Sequence, residues 1–287
     1  MPLSSEMVGQ QTPALRHEID ARWLMAYAAG LNDTLDCYMD TTAGPVLAHP
    51  VFPVCPEWPV ILNVREMAGG QTLSATEAAR GVHAAHDLHI YQPIKAGDVI
   101  ETRALMIGVN SIKPGAAYTL RLDTHEVGSG RLLAQTYQLG IYRGVAVTGG
   151  DANLEHAPAL PEFSTLANRH VEKIDLPAGA AHIYTECARI WNPIHTDRQV
   201  AIDAGLPDII LHGTATLAIA ISRVVQRYAD GDPTRVKRLG GRFAAMVLLP
   251  SQIEVVSNIS GNIVSFQVNN AQGEPAISRG YVELLSN

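Results

Sequence analysis

Two short stretches of the chain carry residue types that could do chemistry. In Asn192-Pro193-Ile194-His195, an asparagine and a proline stand just ahead of a histidine. Asparagine caps free N–H groups at a helix start, and proline suits the first helical position. His195 is therefore predicted in a first helical turn. There the positive end of the helix dipole disfavours imidazolium and helps keep the ring neutral, and a neutral imidazole can act as a base toward water. Further on, His212-Gly213-Thr214 precedes a strongly apolar run. Gly213 leaves backbone N–H groups at a second helix start unobstructed by a Cβ. Such groups can polarise a thioester carbonyl and stabilise an enolate oxyanion. Other chemistries find no support. His83, His86 and His89 recur at intervals of three, but their neighbours read as a strand, which would scatter them, so no metal site is expected. There is no Ser-His-Asp set, P-loop or GxGxxG loop, and Gly240-Gly241 is too short to count.

The elements that must position these residues come from an internal repeat. In the first half, His89 to Glu101 is followed by alternating runs, Ala117 to Glu126 and Leu132 to Tyr142, around the turn Val127 to Arg131. In the second half, Arg242 to Pro250 leads into Gln252 to Asn258. Then come Ile263 to Asn269, the turn Asn270 to Glu274, and Ile277 to Leu285. These short β-branched or aromatic runs, bounded by Gly, Asn or Ser, predict antiparallel strands joined by hairpins. Helical material lies upstream of each set: Ala21 to Ala29, ending at Gly30, and Thr214 to Tyr228, apolar nearly all round and so predicted buried. Each repeat is thus one buried helix wrapped by an antiparallel sheet, an α+β arrangement. Gly144 to Ser164, rich in Gly, Pro and Ala, is predicted to link them.

Composition narrows the function classes. The chain has 287 residues, 47% hydrophobic and 17% charged, with a net charge of −7. Nothing in that balance would neutralise nucleic-acid phosphates. Cys37, Cys55 and Cys187 have no CxxC spacing and are expected as reduced thiols in a cytoplasmic protein. The first residues do not read as a secretory signal, and no apolar run is long enough to span a membrane.

The stretch from Tyr184 to Tyr228 joins these features. NPIHTD, AGLPD, a short apolar run and HGT follow one another, and the order resembles the signature of the MaoC-like, hydratase-2 type (R)-specific enoyl-CoA hydratases. The resemblance extends to the first half, where Gly81 to His86 falls at the start of the degenerate repeat's strands. It implies a double hot-dog fold: a degenerate repeat at residues 1–143, a linker at 144–164, and the active repeat at 165–287. It also implies reversible hydration of a 2-enoyl-CoA thioester in fatty acid metabolism. His195 would be the base, Asn192 would position water, and Gly213 would supply the oxyanion site. Coenzyme A would be present as part of the substrate, with no further cofactor, and the protein would form a homodimer or higher homo-oligomer. Lys237, Arg238 and Arg242, expected just before a strand, would bind the coenzyme A phosphates.

One departure from the pattern matters. The family's aspartate stands two residues before the asparagine, in a Gly-Asp-x-Asn-Pro arrangement, and here that place is Ile190, preceded by Arg189. Isoleucine cannot exchange a proton. A compensating acid could come from Glu186 or Asp197, the nearest carboxylates, although Glu186 is expected to be solvated or paired and Asp197 to cap or orient the segment. The alternatives are therefore a non-catalytic acyl-thioester binder, a subunit whose partner supplies the acid, or a hot-dog thioesterase.

Overall fold

The computed structural model describes residues 2–69, 73–78, 80–162 and 169–285. In chain order its helices are α1 (Ala21–Gly30), α2 (Asp36–Met39), α3 (Val54–Leu62), α4 (Ala75–Ala78), α5 (Ala180–Ala188), α6 (Arg198–Asp203) and α7 (Gly213–Tyr228). Its strands are β1 (Leu3–Ser4), β2 (Leu15–Glu18), β3 (Gly81–Ile90), β4 (Val99–Ile112), β5 (Gly115–Glu126), β6 (Leu132–Arg143), β7 (Val147–Thr148), β8 (Ala152–Asn153), β9 (His170–Leu176), β10 (Val236–Phe243), β11 (Ser251–Ser260), β12 (Ile263–Asn269) and β13 (Pro275–Leu284).

By contact, the chain forms two compact units. One comprises residues 1–17, 56–88 and 99–160; the other comprises 18–55, 89–98 and 161–287. In the first, β2, β4, β5, β6 and β3 are neighbours in that order. β5 and β6 alternate buried and part-exposed residues, the period-2 pattern of a half-buried sheet. Val60 of α3 and Val64 just beyond it pack with Ala104, Met106, Leu120 and Leu122 of β4 and β5. The segment predicted as a linker is more structured than its composition implies: β7 pairs with β1, and β8 pairs with β4. Residues 163–168, the end of that linker and the start of the second repeat, lie outside the described residues.

In the second unit the sheet order is β10, β13, β12, β11, β9. Neighbouring strands within it are antiparallel, and β11 and β12 stay in register from Glu254↔Asn269 to Ser260↔Ile263. Helix α7 packs against β10, β11, β12 and β13. Ala215 to Ser222, Val224 and Val225 are all buried, so nearly every side of this helix faces protein. Each large apolar side chain among them contributes about 1.5–3 kcal/mol, and the alanines let sheet and helix approach closely. Ser222 is a polar intrusion, and His49 satisfies it at 3.2 Å. Because Val51 N–H donates to His49 Nδ1, the ring proton is on Nε2 and is given to the Ser222 oxygen.

The first predicted helix is present, but it belongs to the second unit and not to the first repeat, where α3 packs on the sheet instead; its glycine also has a different reason. Gly30 belongs to α1 itself. A Cβ there would stand 3.0 Å from Cys187 Cβ, so glycine permits α1 and α5 to pack closely. The left-handed residue beyond the helix is Asn32, at φ 57°.

Candidate active site

Three short pieces of chain build the site within the second unit. The first is a single 3-10 turn, Pro193–His195, capped by the Asn192 side chain, which accepts from Ile194 N–H. The His182 ring, on α5, bonds the Thr196 carbonyl at 3.0 Å and ties this turn to that helix. The second is Ile209 to Leu211, where Leu211 N–H donates to the Val247 carbonyl. It presents the Ile210 carbonyl to His195 Nδ1 at 2.8 Å. The third is the start of α7 at His212-Gly213.

These pieces bring the two sequence motifs together. The rings of His195 and His212 stack with centroids 3.6 Å apart and planes 24° from parallel. His212 Nε2 lies 3.2 Å from Thr185 Oγ1, and the Tyr184 ring lies 4.9 Å from the His212 ring. A carbonyl only accepts, so the bond to Ile210 fixes the His195 proton on Nδ1 and leaves Nε2 with its lone pair. Burial pushes His195 down to about 4, against the opposing effect of the Ile210 carbonyl. Burial likewise takes His212 to about 2, with His195 adding to the shift. The expected neutrality is present, but its cause is different: a three-residue turn has little dipole, and desolvation of the ring does the work.

At the α7 start, the N-cap residue His212 makes no side-chain capping bond, and among the described residues no side chain bonds the first N–H groups. Gly213 is exposed. A Cβ on it would stand 2.9 Å from Phe243 Cδ1, so a bare backbone is what fits between β10 and the helix. Asn192 is half-buried beside the turn it caps.

The remaining candidates separate clearly. Ile190 is buried at 5% exposure. Arg189 before it is left-handed, at φ 57°, with its guanidinium 4.0 Å over the Trp23 ring. Glu186 is exposed on α5, and Asp197 caps α6 by accepting from Gln199 and Val200; neither joins the ring stack. Lys237, Arg238 and Arg242 lie within β10, not before it, and register shifts fall at 236–238 and 240–242. Lys237 and Arg242 are exposed, whereas Arg238 is half-buried with its guanidinium 5.5 Å over Tyr281. Among the described residues no group of His, Cys, Asp and Glu could hold a metal ion. His83 and His86 meet edge to face on β3 at 5.4 Å.

Several residues that sequence reasoning passed over belong to this neighbourhood. His212, Thr185 and Tyr184 contact the predicted residues, and Tyr27 of α1 reaches Tyr184 with its hydroxyl 3.4 Å away. Adjacency to Gly213 was the only signal for His212. Nothing local could signal Tyr27, which is distant in sequence.

Comparison with known proteins agrees with this architecture. Residues 170–278 match the MaoC like domain, and residues 6–134 match the FAS1-like dehydratase domain region. The chain is 22% identical to a protein named peroxisomal enoyl-CoA hydratase 2 from Arabidopsis thaliana, over 98% of this chain and 95% of the other. A MaoC-like dehydratase from Phytophthora capsici superposes with a TM-score of 0.82 at 18% identity, covering 98% of each chain. A Mycobacterium tuberculosis protein described as a double hotdog fold superposes with a TM-score of 0.60 at 16% identity, covering 96% of this chain and 95% of that one.

Proposed function

From a C-terminal MaoC-like domain and an N-terminal dehydratase-like region on a double hot-dog fold, we propose that this chain catalyses the reversible hydration of a 2-enoyl-CoA thioester. The observation that carries the reading is the stack of His195 on His212, which puts a neutral imidazole base beside an uncapped helix start. The thioester oxygen is held by N–H groups at Gly213, which draw electrons from the double bond and make C3 electrophilic. His195 Nε2 takes a proton from water as the water oxygen bonds to C3. The imidazolium then returns that proton to C2 as the enolate collapses. One water is consumed, and its two hydrogens end on the new hydroxyl and on C2, so a single base closes the balance. Asn192 is assigned to orient the water. Lys237 and Arg242, the exposed cations of β10, are assigned to the coenzyme A phosphates, because β10 ends at Phe243 against the helix start.

Ile190 favours a second reading. With an apolar side chain in the acid's place, the site would bind an acyl thioester without turning it over. The test is crotonyl-CoA, followed by loss of its conjugated-thioester absorbance and by product analysis. Formation of 3-hydroxybutyryl-CoA that disappears in His195→Ala supports hydration. Release of free coenzyme A would mean a thioesterase, and binding without either product would mean a binder.

A further inference from the structure

The proposed hydration site has an ordered polar chain behind it that neither His195 nor Gly213 uses. Thr214 is the second residue of α7 and is half-buried. The Tyr184 hydroxyl donates to its Oγ1 at 3.1 Å. The Tyr27 hydroxyl lies 3.4 Å from that of Tyr184, and both tyrosines are 1% exposed. Each hydroxyl has one proton. Tyr184 gives its proton to Thr214, so Tyr27 must be the donor to Tyr184. The chain therefore has a fixed direction, Tyr27 to Tyr184 to Thr214, and ends on a threonine whose own proton has no acceptor among the described residues.

We infer that the Thr214 hydroxyl is a second donor to the thioester oxygen, working beside the Gly213 N–H and polarised by the two buried tyrosines. Its place supports this. Gly213 and Thr214 are consecutive at an uncapped helix start. The Tyr184 ring that holds Thr214 also packs on His212, which stacks on His195. Base and donors therefore border one small region. Burial keeps both phenols protonated and able to donate. Donors linked in series strengthen one another, and the arrangement is preorganised, so it needs no rearrangement as charge develops on the oxygen.

This inference rests on the hydration reading, and the experiment separates the two. Full-length wild type, Thr214→Val, Thr214→Ser and Tyr184→Phe are compared, with folding checked by melting temperature. Hydration of crotonyl-CoA gives kcat and KM. Separately, difference infrared spectroscopy of bound butyryl-CoA, labelled with ¹³C at C1, reports the carbonyl stretch of a thioester that cannot be hydrated. Thr214→Val should lower kcat about 10²–10³-fold with little change in KM, and it should reduce the downshift of the carbonyl stretch. Thr214→Ser should restore both, and Tyr184→Phe should fall between. A wild-type carbonyl shift in Thr214→Val overturns the inference, as does failure of butyryl-CoA to bind wild type. An inactive wild type sinks hydration alone; the carbonyl shift still decides whether Thr214 addresses the thioester.

Discussion

The proton of His195 sits on Nδ1 because the Ile210 carbonyl accepts it, and the free Nε2 is a base only while it is unprotonated. With the ring pushed to about 4, hydration should stay flat from neutral pH to about pH 5. It should fall only as the ring charges, with an acid limb near 4 and not near 6.5. The pH–rate profile, taken where near-ultraviolet circular dichroism is still native, checks this; a limb at 6–7 would assign the base elsewhere. Ile190 supplies the second residue-scale prediction. The left-handed Arg189 before it has a backbone conformation that suits a glycine. Ile190→Asp should raise hydration of crotonyl-CoA about 10²–10⁴-fold. It should also move the acid limb upward, since a nearby carboxylate favours imidazolium. A carboxyl in this buried place costs stability, so the melting temperature belongs beside the rate. A folded variant with no gain shows that the acid's place does not face the substrate.

At the scale of elements, β10 does two jobs that its sequence runs together. Arg238 lies over Tyr281, while Lys237 and Arg242 are exposed where the register shifts. Replacing Lys237 and Arg242 together with alanine should weaken coenzyme A thioester binding, most strongly at low salt where screening is least, and leave the melting temperature near wild type. Arg238→Ala should instead lower the melting temperature, since it removes a packed cation–π contact worth roughly 0.5–2 kcal/mol. Calorimetric titration against salt, with thermal melts, separates the two. Equal affinity of the double variant at low salt would remove these cations from the site.

Several ionisable groups are buried across the described residues. Burial lowers His49 to about 3, His83 to about 3, His86 to about 4, His195 to about 4 and His212 to about 2. Below 6.5 the unfolded chain binds protons at these sites that the folded chain refuses. Stability should therefore fall as pH drops below about 6.5, and keep falling until each folded value is reached. Glu57 runs the other way: buried beside Thr136, it is pushed up to about 8. Between 4.5 and 8 the folded chain holds a proton there that the unfolded chain releases, so this stabilisation is lost as pH rises. The melting temperature should peak near pH 7, drop steeply toward pH 5, and decline gently toward pH 8. Glu57→Gln should flatten only the alkaline side. A melting temperature constant from pH 5 to 7 would contradict the picture of buried neutral histidines.

Residue order alone determined strands β5, β6, β11, β12 and β13, the buried helix α7 and the conjunction of NPIH with HGT, because each depends on periodicity, turn chemistry or capping within a few positions. The hairpins around Gly128 and Gly273 and the limits of β12 follow from such local rules. Tertiary structure decided what touches across long separations. It stacked His195 on His212, replaced the helix dipole by burial as the cause of a neutral imidazole, and turned Gly30 from a terminator into a packing contact with Cys187. It also grouped residues 18–55 with the C-terminal repeat, so that Tyr27 stands behind Tyr184 and Thr214. Local sequence sets which backbone shapes are cheap. Which side chains share one desolvated space depends on how those shapes pack, and no spacing along the chain records that.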